Sequence, residues 1–192
     1  MALDETKLSV NNFIIYKWLN SFFLGVSIGC VFTIYEPLEP SVYSLGGMAL
    51  ALGVLVVAKF YNKILNATYF FRISLLVEII VLIMLILFLI FSYSYQIALM
   101  TYIGYQLTFM FGSYLVRAET LVFKEEANLT KIDIAKQFGY LVGMALSYGF
   151  YKMTEHLLSM SDKQEQVYLI HYLLILIELS VIVFLIRAFI KK

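Results

Sequence analysis

Hydrophobic and polar positions in this chain fall in long blocks rather than alternating residue by residue. Six apolar runs cover roughly 13–35, 42–59, 70–91, 96–123, 135–157 and 167–189. Each is close to the ~20 residues that carry a helix across the hydrocarbon core of a bilayer. The longest polar breaks are "KEEANLTKID" and "SMSDKQEQ", too short for a separate soluble module. Runs such as "LLVEIIVLIMLILFLIF" lack the period of two that a membrane-spanning strand requires. The pattern predicts an all-α, polytopic membrane protein: one domain, residues 1–192, with six transmembrane helices.

The glycines divide these runs. Gly25 and Gly29 stand in the first, Gly46, Gly47 and Gly53 in the second, Gly104 and Gly112 in the fourth, and Gly139, Gly143 and Gly149 in the fifth. The third and sixth have none. In lipid, helices associate through close packing, so small residues four apart mark contact faces. Gly25, Gly29, Gly104, Gly112, Gly139 and Gly143 are therefore the expected helix-packing positions. The glycine-free runs suit a lipid-facing rim around the other four. The order rich, rich, bare occurs twice, in halves of opposite direction, and predicts a 3+3 inverted repeat.

Composition agrees: 62% of residues are hydrophobic and 14% charged, too apolar for a soluble domain of this size. Of the 14 Lys and Arg, only Lys152 and Lys163 lie at or beyond the span ends expected outside. The positive-inside rule then places both termini in the cytoplasm, and a bacterial inner membrane is the expected location. The polar, acidic start "MALDETKLSVNN" lacks the basic lead of a cleaved signal peptide. Cys30, the single cysteine, lies inside the first run and reads as a small packing residue. There is no Walker-type motif and no metal-spaced His/Cys cluster, so an ATP-driven pump is not expected. Neither are a cofactor, a metal or a nucleic-acid partner. The spans also lack a paired-aspartate or Ser/His constellation, which argues against an enzyme.

Charges inside the runs are costly, and hence informative. Arg117 and Glu119, in "GSYLVRAETLVF", point to nearly opposite sides of a helix. Arg117 continues a polar stripe of Tyr102, Gln106 and Ser113, the expected solute-facing positions, with Asn20 and Ser27 as possible additions from the first run. Matched depths suggest ion pairs Arg117–Glu78 and Arg72–Glu119, able to lock a cytoplasmic gate; static helix pairing and snorkelling are the competing accounts. Glu178 falls near the middle of the sixth run, where an acid lacks water unless a cavity or partner supplies it. His171, two turns away on the same face, completes a candidate proton-coupling pair. A simple hydrogen bond between helices, or a subunit contact, is the alternative.

The stretch "YLVRAETLVFKEEANLTKIDIAKQFGYLVGMALSYGFY", residues 114–151, resembles the middle of the six-helix N-terminal half of a major facilitator superfamily transporter. "FFLGVSIGCVFTIYEPL" is similar to that family's first helix, and Gly25, Gly29, Arg117, Gly139 and Gly143 are the matching positions. The loop "AKFYNKILNATYFFR" keeps the basic residues Lys59, Lys63 and Arg72 but lacks the Gly and Asp of the family's signature there. The family has twelve spans; this chain stops after six. The resemblance implies a half-size transporter that forms a parallel homodimer, or pairs with a second half-size chain, and moves a small-molecule solute by rocking about a midplane site. A fragment of a longer transporter is a further reading. The expectation is thus secondary, proton-coupled transport; the alternative is a non-transporting membrane scaffold or accessory subunit.

Overall fold

Helices begin where the sequence supplies caps. In a computed structural model that describes residues 8–157 and 159–189, α1 (Val10–Tyr35) starts at Ser9, whose side chain accepts from the Asn12 N–H. Pro40 opens α2 (Pro40–Lys59), where its missing N–H is not needed. One short turn, α3 (Tyr61–Ile64), leads to α4 (Ala67–Phe91), capped by Asn66. Ser94 caps α5 (Tyr95–Met110), followed by α6 (Gly112–Val122), α7 (Glu126–Leu157) and α8 (Lys163–Phe189). The described residues contain no strand.

Four of these helices, α1, α2, α4 and α8, are long and apolar enough to cross a membrane, as in an integral membrane protein. The other two expected spans take a different form. The fourth run is interrupted at Phe111, where φ −90° and ψ −3° end α5 and α6 begins at the next residue. The fifth lies within α7, which is long but carries Lys131, Asp133 and Lys136 near its start and Lys152 and Glu155 near its end.

Helix α1 lies between α7 and α8; α4 packs behind α8, α5 against α4, and α2 against α5. The start of α1 meets the end of α8. The Ser9 N–H donates to the Ala188 carbonyl at 2.9 Å, and the Asn12 amide to the Arg187 carbonyl at 3.3 Å. That end of the bundle is closed by phenylalanines: Phe13 has its ring centre 4.3 Å from that of Phe123 and 5.8 Å from that of Phe70, with Phe189 edge-on.

The core lies where the glycine count argues against it. Helix α8 buries a stripe of Ile170, Leu174, Glu178, Val181 and Leu185, and α4 buries Phe70, Ser74, Glu78, Val81, Leu85 and Phe88. Glycine-rich α2 buries only Val57. The expectation of bare helices at the rim and glycine helices inside is corrected accordingly. Leu, Ile and Phe fill a protein interior as well as they meet lipid, so composition alone does not separate the two environments.

Glycine has its clearest use between α1 and α7. A Cβ on Gly143 would press on the Phe22 carbonyl, one on Gly139 on the Trp18 carbonyl, and one on Gly25 on the Tyr140 carbonyl. Two backbones touch here, and the Ser147 hydroxyl donates across to the Val26 carbonyl at 3.1 Å. Gly29 faces the Tyr151 ring and Gly104 the Met84 side chain, whereas Gly112 faces open space and packs against no helix.

Candidate functional site

Two acids of the sequence, one each from α4 and α8, are brought together in the core. Glu78 lies eleven residues into α4, which starts at Ala67, and Glu178 eleven before Phe189 at the end of α8. Both are therefore about 16 Å of helix rise from the end that carries the chain termini. Glu78 is 3% exposed and Glu178 fully buried. Their carboxyl groups interact electrostatically across the α4–α8 contact.

Their surroundings differ. Glu78 Oε1 accepts from the Tyr16 hydroxyl at 2.7 Å and from the Asn20 amide at 3.0 Å, both on α1. No donor group reaches either oxygen of Glu178, whose one polar neighbour of this kind is the Glu78 carboxyl. Two carboxylates cannot both keep their charge in one apolar place without a cation between them. The donors around Glu78 suit a carboxylate, and the bare surroundings of Glu178 suit the neutral acid. One proton shared by the pair satisfies both.

Beside the pair runs a chain of ions towards the surface. Lys17, next in sequence to Tyr16, lies 2.7 Å from Glu119 Oε2. Lys136 of α7 contacts the other Glu119 oxygen and also reaches Asp133 at 3.1 Å. Side-chain exposure rises along this chain, from 6% at Glu119 and 14% at Lys17 to 25% at Lys136 and 71% at Asp133.

The expected gate pairs are not formed. Glu78 takes Tyr16 and Asn20 in place of Arg117, and Glu119 takes Lys17 and Lys136 in place of Arg72. Both arginines are exposed, each with its guanidinium 5.9 Å from a tyrosine ring centre, Tyr69 for Arg72 and Tyr61 for Arg117. Depth along a helix places a residue at a level; it does not say which way it faces.

The expected solute-facing stripe is split by the turn at Phe111. Tyr102 is buried and donates to the Tyr43 carbonyl at 3.1 Å, edge-on to the rings of Tyr35 and Tyr43. Gln106 keeps a buried, unpartnered carbonyl oxygen beside an apolar groove of about 160 Å³ between α2 and α5. Ser113 is exposed. Asn20 serves Glu78, and Ser27 donates to the Leu24 carbonyl at 3.1 Å.

His171 lies about 10 Å of helix rise from Glu178 along α8, with no contact to the pair. Its ring stacks on Phe88 at 4.0 Å, and Nδ1 lies 2.6 Å from the Val167 carbonyl. Together with Ser27, Thr101 and Tyr105 it lines an interior cavity of about 20 Å³, room for about one water molecule.

Sequence reasoning missed Tyr16, Lys17 and Lys136 as parts of the site. The equal spacing of Glu78 and Glu178 from their helix ends was the available signal. No family model, curated protein or solved structure matches the chain, and the site's chemistry rests on these residues alone.

Proposed function

We propose that the chain is one half of a proton-coupled secondary transporter of the bacterial inner membrane, with both termini cytoplasmic, and that the Glu78–Glu178 pair is its coupling element. The observation that carries this is Glu178: an acid with no exposure and no donor group beside it, facing a second buried acid. Such a group is costly in a purely structural bundle and is a proton site by its chemistry.

The packing supports the six-span repeat. Count α5 and α6 together as the fourth span and exchange the first three spans with the last three. The contact α1–α7 then becomes the contact of α5 with α2, α1–α8 becomes the contact of α5 with α4, and α4–α8 maps onto itself. All of these pairs are in contact. This is the pattern of an inverted repeat. A second copy, or a second half-size chain, would complete the solute pathway against the face that α2 and α7 flank.

The test is transport. The protein is reconstituted in vesicles with a pH-sensing dye inside and a panel of small solutes is supplied. One solute class should move protons with it, and Glu178→Gln should abolish that signal at unchanged abundance.

One observation favours the second reading, a membrane scaffold: the interior cavity is too small for a solute. A monomer by native mass in nanodiscs, moving no solute of the panel, would decide for the scaffold.

A further inference from the structure

We propose that Lys17 is a shared cation: Glu119 holds it while the Glu78–Glu178 pair keeps its proton, and Glu78 draws it away once that proton leaves. The charge on the acid pair then decides whether α1 is tied to α6. This rests on the reading of the pair as a proton site.

Apart from Asp133, which is 71% exposed to solvent, the charges around Lys17 are in balance. Lys17 and Lys136 supply two positive charges, Glu119 and Glu78 two negative ones, and Glu178 is neutral with its proton. Loss of that proton leaves one uncompensated negative charge among apolar side chains, and such a charge is stable only beside a cation. Lys17 is placed to supply it. Its ammonium lies 5.4 Å from the centre of the Tyr16 ring, whose hydroxyl donates to Glu78, and it already acts on Glu78 electrostatically.

Glu119 tolerates the loss because Lys136 holds its other oxygen. The titratable groups around Lys17 and the pair come from every helix beside them: Glu78 of α4, Glu178 of α8, Glu119 of α6, Lys136 of α7 across Glu119, Tyr105 of α5 at longer range and Tyr16 of α1 itself. None of these is a further cation within the pair.

Departure of Lys17 cuts the ion pair that joins α1 to α6, next to the Phe13–Phe123 contact. In the proposed transport cycle, proton loss would loosen that end of the bundle and proton uptake would retighten it. Lys17 is then a positioning residue that reports the pair's charge to α6.

The experiment uses the full chain in nanodiscs, with spin labels at Asn11 and Leu121, exposed positions near that end of α1 and α6. The infrared band of the protonated acid is followed over the same pH range. As the band is lost, the label distance should lengthen by about 2 Å or more, the scale of a helix shift. Lys17→Arg should keep this response, and Lys17→Gln should lose it. If Lys17→Gln does not fold, Glu119→Gln cuts the tie from the other side and should give the longer distance at every pH. A constant distance while the band titrates overturns the switch alone. A band that is absent, or unaffected by Glu178→Gln, overturns the acid-pair reading and the switch together.

Discussion

On one flank α1 meets α7 through glycine, with the backbones of Gly25 and Gly143 in contact. On the other it reaches α4 and α8 through Tyr16 and Asn20, side chains turned towards a buried carboxylate. Along Gly25, Gly139 and Gly143 the first flank presents bare backbone, and its charges, Lys17 and Lys136, lie at one end. The second holds two acids and a small polar cavity within a stripe of large apolar residues. The contrast separates two kinds of sensitivity: to volume on the α7 side, to charge on the α8 side.

Volume should produce the largest effect. In Gly143→Leu the new side chain meets the Phe22 carbonyl, and backbone cannot step aside as a flexible side chain would. The two helices must separate, and over-packing of this kind costs about 3 kcal/mol. Unfolding in graded denaturing detergent should show the loss, and Gly112→Leu, which meets open space, should not. Equal losses for the two variants would erase the distinction between the flanks.

Charge comes next, and the two acids should differ. Glu78→Ala removes the acceptor of both the Tyr16 hydroxyl and the Asn20 amide, leaving buried donors unpaired at a cost of about 2 kcal/mol. Glu178→Met removes only the proton shared with Glu78 and puts an apolar side chain of similar length in an apolar place, so it should cost less than Glu78→Ala. The same unfolding assay checks both. A large loss in Glu178→Met would mean that this acid has a structural partner.

These two flanks were not equally legible in the sequence. The four-residue spacings Gly25/Gly29 and Gly139/Gly143 give the close approach because backbone contact depends only on the missing Cβ, which the sequence states directly. The acid pair depends on which way two helices are rotated, and the uniform apolar background of α4 and α8 leaves that rotation open. Glu178 itself was legible as an anomaly; its partner was not, because Arg117 stands at a plausible depth for Glu78 and the turn at Phe111 is invisible in a continuous apolar run. The burial of α4 and α8 was hidden for a related reason: a helix rich in Leu and Ile looks the same facing lipid or core.

His171 offers a smaller effect that sharpens the charge side. Its ring stacks on Phe88, and its one hydrogen bond stays on its own helix, to the Val167 carbonyl. His171→Phe keeps the stack, gives up that bond and should cost about 1 kcal/mol. Because Glu78 rather than His171 faces Glu178, the variant should keep the infrared band of the protonated acid. Loss of the band would return His171 to the proton site.

The smallest effect belongs to Arg117, the residue whose charge stands out most in the fourth apolar run. Its side chain is exposed, with a tyrosine ring 5.9 Å away and Glu78 bound elsewhere. A cation over an exposed ring contributes about 0.5 kcal/mol or somewhat more, and exposed substitutions generally fall within about 0.5 kcal/mol. Arg117→Gln should therefore leave unfolding nearly unchanged, and Glu119→Gln, two residues on, should not, because Glu119 lies between two lysines. If abundance and unfolding fall in Arg117→Gln as far as in Glu119→Gln, Arg117 has a buried partner after all, and the division between a charged core and an uncharged seam needs a third region. If only solute uptake falls, Arg117 acts on the solute from the exposed face, where a second copy of the chain would close the pathway.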